Sequence, residues 1–279
     1  MTPERLAPPG RRADPSTSPV GPAATWPGTL VLLLVSLVGV MAFTWPFFVD
    51  PRSGLAHGTD APWLFAVLMS LLGVSLLAEQ SSGRLDAKTV AVLGVLAALG
   101  GCLRLLSAGT AGLEPVFFLV VVAGRVLGGR LAFLAGALIL LLGAFLTGGI
   151  GPWAPFQMIA SGWIALGAAV LPALRGRAEL VMLAAYGLIA GLLYGVVMNL
   201  WFWPFIGSGA PAGAGFVPGA DPVTNLGRYA VFYLATSLGW DLPRAVLTCL
   251  LVAVAGPAAL ATLRRAVRAA AFEETGQFR

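Results

Sequence analysis

The sequence predicts an all-α protein that crosses a membrane several times. Of its 279 residues, 58% are hydrophobic and only 10% are charged. Mean hydropathy is +0.89, and apolar runs recur along most of the chain. A soluble domain carries roughly 25% charged residues, and a globule this poor in charge could not cover its own surface. Uncharged runs of about 18 residues or more match the hydrocarbon thickness of a bilayer. The 36 glycines and 20 prolines agree, since both are commoner in membrane helices than in soluble ones.

Residues 1–25 are rich in Pro, Ser, Ala and Arg without periodicity, which reads as a disordered tail. The apolar run behind them is too long, and lacks a small-residue cleavage site, for a signal peptide. Eight apolar segments follow. They run from Trp26 to Phe48, Pro62 to Leu77, Ala87 to Leu106, Leu113 to Leu127, Leu131 to Leu146, Ala154 to Leu174 and Leu180 to Trp203, and the last from Tyr229 to Leu263. The last is too long for one span. Its Gly239-Trp240-Asp241-Leu242-Pro243 interruption predicts a short outer helix, a break and a spanning helix from Pro243, because proline suits a first helical turn.

The fourth and fifth segments are short, so they either span or form a re-entrant hairpin. Charge sidedness favours spanning. With eight spans, thirteen of the seventeen basic residues fall on one side: Arg5, Arg11, Arg12, Arg84, Lys88, Arg125, Arg130, Arg175, Arg177, Arg264, Arg265, Arg268 and Arg279. Cytoplasmic loops are enriched in Lys and Arg, so that side is expected inside the cell membrane, together with both termini. The opposite side holds Arg52, Arg104, Arg228 and Arg244.

Three of those four carry the functional reading. An ionisable group within a span is costly unless paired or hydrated. Arg104 lies near the outer end of the third segment and Glu114 opens the next, while Asp241 and Arg244 flank the start of the last span, with Arg228 nearby. Arg104–Glu114 and Asp241–Arg244 are either helix-end ion pairs or contacts to a ligand from outside. The uncharged turn from Thr147 to Gln157 offers glycines for close backbone approach and Trp153, Phe156 and Gln157 as contacts. It is otherwise an ordinary outer turn. Asn199, beside Trp201, Phe202 and Trp203, is a candidate for a ligand hydrogen bond. Its aromatic neighbours suit interface anchors.

Several chemistries are disfavoured. There is one histidine, His57, and Cys102 and Cys249 fall in apolar segments, so neither a metal centre nor a disulfide framework is expected, and no cofactor is. The arginines are scattered rather than gathered on one face, which argues against nucleic acid. No glycine-rich nucleotide loop with Lys-Ser/Thr is present, so ATP would be hydrolysed elsewhere. Small residues at four-residue spacing in the third segment, Ala87/Ala91 and Gly94/Ala98, are the kind of face that lets helices approach closely.

Three stretches carry a resemblance. Leu103-Arg104-Leu105-Leu106-Ser107 through Leu113-Glu114-Pro115, Thr147-Gly148-Gly149-Ile150-Gly151-Pro152-Trp153 with Pro155-Phe156-Gln157-Met158, and Gly239-Trp240-Asp241 with Arg244 resemble the substrate-binding subunits of energy-coupling factor transporters of the actinobacterial type. The resemblance covers roughly residues 84–270. It implies a six-helix core, 84–271, preceded by two additional helices, 26–83, and followed by a tail, 272–279. It also implies a non-catalytic subunit that captures a vitamin or related micronutrient from outside, with a cobalamin-related compound as one expectation. Transport would need a transmembrane coupling subunit and ATPase subunits. Docking of these is implied at Ala87, Ala91, Gly94 and Ala98, and substrate contact at Arg104, Glu114, Trp153, Gln157, Asn199, Asp241 and Arg244. The alternative from the residues alone is a multipass enzyme acting on a lipid-linked or phosphate-bearing substrate.

Overall fold

The computed structural model describes residues 26–48, 61–81, 85–107, 110–206 and 209–276. The expected 1–25 tail, Arg52, His57 and Arg84 lie outside the described residues. The chain folds as nine α-helices among these residues: α1 (Trp26–Thr44), α2 (Ala61–Ser81), α3 (Ala87–Leu106), α4 (Val116–Leu127), α5 (Gly129–Leu146), α6 (Ala154–Val170), α7 (Gly176–Phe202), α8 (Pro222–Thr236) and α9 (Leu238–Gly276). Five of them, α1, α3, α5, α7 and α9, are long and apolar enough to cross a membrane, and α2, α4 and α6 supply shorter apolar helices. This is an all-α multipass membrane protein.

Helix ends follow local chemistry. Asp86 caps α3 by accepting a hydrogen bond from the Thr89 amide at 2.8 Å. Hydrogen bonding from Thr89 holds the Asp86 carboxyl below its usual range. The cap is therefore expected to weaken as pH falls through that lowered value, because the protonated side chain accepts less well. Pro243 sits inside α9 rather than at its first turn. The Ser237 carbonyl accepts the amides of Trp240 (2.9 Å) and Asp241 (3.1 Å), which starts the helix a turn earlier and moves the break to Ser237. At its far end α9 runs past residue 271 to Gly276, so much of the expected 272–279 tail is helical. The alanine-rich Arg268–Phe272 run has high helix propensity.

Ion pairs fix the up-and-down order. At one end, Arg125 at the end of α4 and Arg264 in α9 both meet Glu179 in the first turn of α7, at 2.7 and 2.6 Å. The Arg125 guanidinium also donates to the carbonyls of Leu171 and Pro172, just past α6. At the same end Arg130, opening α5, pairs at 2.6 Å with Glu79 near the end of α2. Lys88, Arg175, Arg177, Arg265 and Arg268 also lie toward this end by helix order, so it is the basic end of the bundle. The opposite end gathers the ends of α3 and α5 with the starts of α4, α6 and α9.

These contacts decide the fourth and fifth segments. Helix α4 begins beside Arg244 and finishes at Glu179, and α5 begins at Glu79 and ends against Arg104. Both traverse the bundle, and neither doubles back. Twelve residues rise only about 18 Å, short of a bilayer core. Most of α4 is buried by its neighbours, so protein rather than lipid surrounds its ends, which is where short or irregular backbone is tolerated.

Small residues allow the close crossings. A Cβ at Gly124 would strike the Ala165 backbone, and one at Gly136 the Ser161 carbonyl. Ser161 also donates to the Gly136 carbonyl at 3.0 Å. On α7, Gly187, Gly191 and Gly195 recur every four residues and face Thr248, Ala245 and Asp241 of α9 in turn, a close-approach seam of the small-residue type.

Helices α1 and α2 pack on the other helices. Phe43 meets the Phe156 ring edge-on at 5.1 Å and lies 5.7 Å from Trp163, and the Trp163 indole donates to the Ser36 hydroxyl at 3.1 Å. Leu33, Leu37 and Met41 on the far side of α1 are exposed, as a lipid-facing surface requires. Phe43→Ala is expected to destabilise the protein by about 2 kcal/mol, below the usual loss for a buried Phe because lipid also solvates the apolar side chain. Thermal unfolding in detergent measures it.

Candidate functional site

A polar cavity of about 270 Å³ opens at the end of the bundle opposite the basic end. The expected residues Arg104, Glu114, Gln157, Asn199, Asp241 and Arg244 all line it, although they come from α3, the α3–α4 turn, α6, α7 and α9.

Glu114 is brought in by the turn before α4. Ala111 (φ 50°) and Gly112 (φ 87°) are left-handed there, and a Cβ at Gly112 would overlap the Trp240 carbonyl. Glycine at 112 therefore answers both a backbone conformation that favours it and a close approach to α9. Thr110 secures the turn by donating to the carbonyls of Ser107 and Leu113.

Arg244 is the most constrained cation. Its Nε lies 2.9 Å from Glu114 Oε2, and its Nη1 pairs with Asp241 one turn earlier. The guanidinium carbon stands 5.3 Å from the Phe117 ring and 5.2 Å from that of Tyr194, in cation–π range. One guanidinium thus holds two carboxylates against two aromatic faces. Arg104 is held differently, with its Nη2 donating to the Gln157 amide oxygen at 2.9 Å. Its aliphatic stem lies on Gly143 of α5, where a Cβ would come within 2.6 Å of it. The expected Arg104–Glu114 pair does not form: Glu114 turns to Arg244, while Asp241–Arg244 forms as expected.

Asn199 donates its amide to the Gly195 carbonyl at 2.8 Å and borders the cavity from α7. Trp153 is not among the lining residues. Its indole donates to the Gly149 carbonyl at 2.8 Å, folding the ring back over its own glycine turn. Tyr194, Gly195, Met198, Thr236, Ser237 and Trp240 also line the cavity and were not among the expected contacts. Tyr194 and Gly195 lie one turn before Met198 and Asn199, so the face of α7 that carries Asn199 was the available signal. Trp240 stood inside the Gly239–Asp241 stretch.

The stripe Ala87, Ala91, Gly94 and Ala98 lies exposed along α3, and nothing lies within 4 Å of where a Cβ on Gly94 would stand. Gly94 also borders an apolar groove of about 330 Å³ lined by residues of α2, α3 and α5. Among the described residues no group of three or more His, Cys, Asp or Glu could hold a metal ion.

Comparison with protein-family models, with curated proteins and with solved structures gives no match to this chain.

Proposed function

We propose that this chain is the substrate-capture subunit of an ATP-driven importer of the energy-coupling factor type, taking up a small micronutrient. The observation that carries the proposal is the cavity itself: charged and amide side chains from several helices converge on one polar space at a single end of an apolar bundle. Ion pairs needed only to satisfy helix ends would not require such an opening.

In this reading the basic end and both termini face the cytoplasm of the cell membrane, and the cavity faces outside. Residues Arg104, Glu114, Gln157, Asn199, Asp241 and Arg244 receive the ligand. A volume of about 270 Å³ suits a compact molecule or the recognition group of a larger one that extends beyond the cavity mouth. The exposed Ala87, Ala91, Gly94 and Ala98 stripe is a free face against which a coupling subunit can approach closely. Arg244, already holding two carboxylates, is poorly placed to clamp the phosphate of a lipid-linked substrate.

The test is purification of the tagged chain from its native membranes in mild detergent. A membrane coupling protein and ATPase subunits should co-purify, and Gly94→Phe should release them without changing the melting temperature. Recovery of the chain alone under conditions that preserve other membrane complexes contradicts the proposal.

A further inference from the structure

We infer that Arg104 is the seat for a ligand carboxylate; this rests on the cavity being a capture site and names the class of molecule it takes. The two arginines lining the cavity are in opposite states. Arg244 faces two carboxylates through all three of its nitrogens. Among the described residues Arg104 shares no ion pair, and its one hydrogen bond there ends on the neutral amide of Gln157. A guanidinium presents five donors in a planar fork and takes a carboxylate through two parallel bonds. One donor of Arg104 is engaged at Gln157, which fixes the plane of the fork at the cavity wall.

Charge selects among anions. Glu114, Asp241 and Arg244 together carry a formal charge of −1, and Arg104 carries +1. The four groups sum to zero, so no net positive field offsets the cost of dehydrating an anion, and that cost rises steeply with charge; a monoanion on Arg104 is therefore favoured over a phosphate dianion. The remainder of the ligand then faces Tyr194 and Trp240, which favours a neutral or cationic body with an apolar surface.

Benzoate and its uncharged counterpart benzamide are suitable probes, with inorganic phosphate as a third arm, all at constant ionic strength. Melting temperature and tryptophan fluorescence of the detergent-purified chain are followed against concentration. Benzoate should give a saturable upward shift and benzamide none. Arg104→Gln should lose the shift, and Arg104→Lys should retain a weaker one, which separates charge recognition from misfolding. An equal response to benzoate and benzamide, a response to phosphate alone, no saturable response, or a benzoate shift surviving in Arg104→Gln overturns the assignment. Absence of an ATPase partner would instead sink the importer reading and leave the carboxylate seat standing.

A separate observation concerns α8, whose pattern is inside out. Beyond the exposed Thr224 of its first turn, its polar side chains turn toward the protein beside buried Phe232: Asn225 exchanges two hydrogen bonds with the Val217 backbone, Arg228 donates to the Gly215 carbonyl at 2.6 Å and Tyr229 donates to the Val196 carbonyl. Val223, Leu226, Ala230, Val231, Leu234 and Ala235 face outward and are exposed. Water rewards the reverse arrangement. The outward face is continuous in kind with exposed Leu242, Val246 and Leu250 on the adjoining α9. We propose that α8 lies in the bilayer, its outward face covered by lipid.

Spin labels on single cysteines at 226, 230 and 234, in a Cys102→Ala/Cys249→Ala background in phosphatidylcholine nanodiscs, report the surroundings. Oxygen should reach them better than a water-soluble nickel chelate, as at position 250, with a label at 219 giving the aqueous reference. Chelate access equal to that at 219 overturns the proposal. Labels within about 20 Å of one another across two chains in a double-resonance measurement also do so, since a second copy would then cover the face.

Discussion

Glu179→Gln is expected to produce the largest loss of stability of any single change at the basic end. Glu179 is one carboxylate, nearly buried, between Arg125 and Arg264. Breaking a buried ion pair from one side leaves uncompensated charge and costs about 3–5 kcal/mol. Here the loss is compounded because two guanidinium groups then face each other. Arg125 keeps its bonds to the Leu171 and Pro172 carbonyls, while Arg264, which is more exposed, swings toward solvent. The change should lower the melting temperature and free the α6–α7 connection to protease. A companion Arg264→Gln should cost much less, and adding it to Glu179→Gln should recover part of the loss by removing one of the opposed charges. If the single and double variants melt together, the cluster does not hold these helices.

The second large effect is expected at Gly195. A Cβ there would overlap the Asp241 carboxylate. The helices cannot easily separate to admit it, because Gly191 already sits against Ala245 one turn away. Asp241 must leave its place, and Arg244 loses one of its two carboxylates. Overpacking of this kind costs about 1–3 kcal/mol, and the disrupted charge pair adds to it. Gly195→Ala should therefore both destabilise the protein and abolish the benzoate response. Gly187→Ala supplies the contrast, since its nearest obstacle is a Thr248 methyl at 2.8 Å: crowding there lowers stability but leaves Asp241 in place, so the benzoate response should survive. Gly94→Ala, with nothing within 4 Å, should change neither property.

Hydropathy alone placed the helices to within a few residues over most of the chain, because an apolar run long enough to span leaves few alternatives. The third segment agrees at both ends. The last did not, since which of Ser237 or Pro243 starts α9 depends on a backbone carbonyl capturing two amides, and composition does not encode that. Charge was legible in part. Unexplained arginines and acids at one level marked the cavity, and the Asp241–Arg244 pair, three residues apart, was readable, but the partner of Glu114 was not. Glu114 chooses Arg244 over Arg104 because the α3–α4 turn and the start of α9 meet through Gly112 and Trp240, a contact between distant parts of the chain. The Gly187-Gly191-Gly195 repeat was present in the sequence and passed unused, one glycine pattern among many in a chain with 36 glycines. Only the facing Thr248, Ala245 and Asp241 show that it sets the distance between α7 and α9, and with it the position of a charged cavity residue.

The central claim is that the cavity holds a small ligand and that its charged residues hold it. Native mass spectrometry of the chain purified from its own membranes tests this most directly. The account predicts a single small-molecule adduct on the wild-type protein, absent from Arg104→Gln and from Gly195→Ala but retained by Gly94→Ala. An adduct of unchanged abundance in all four proteins, or no adduct on wild-type protein prepared from cells grown with a full vitamin supply, would contradict it.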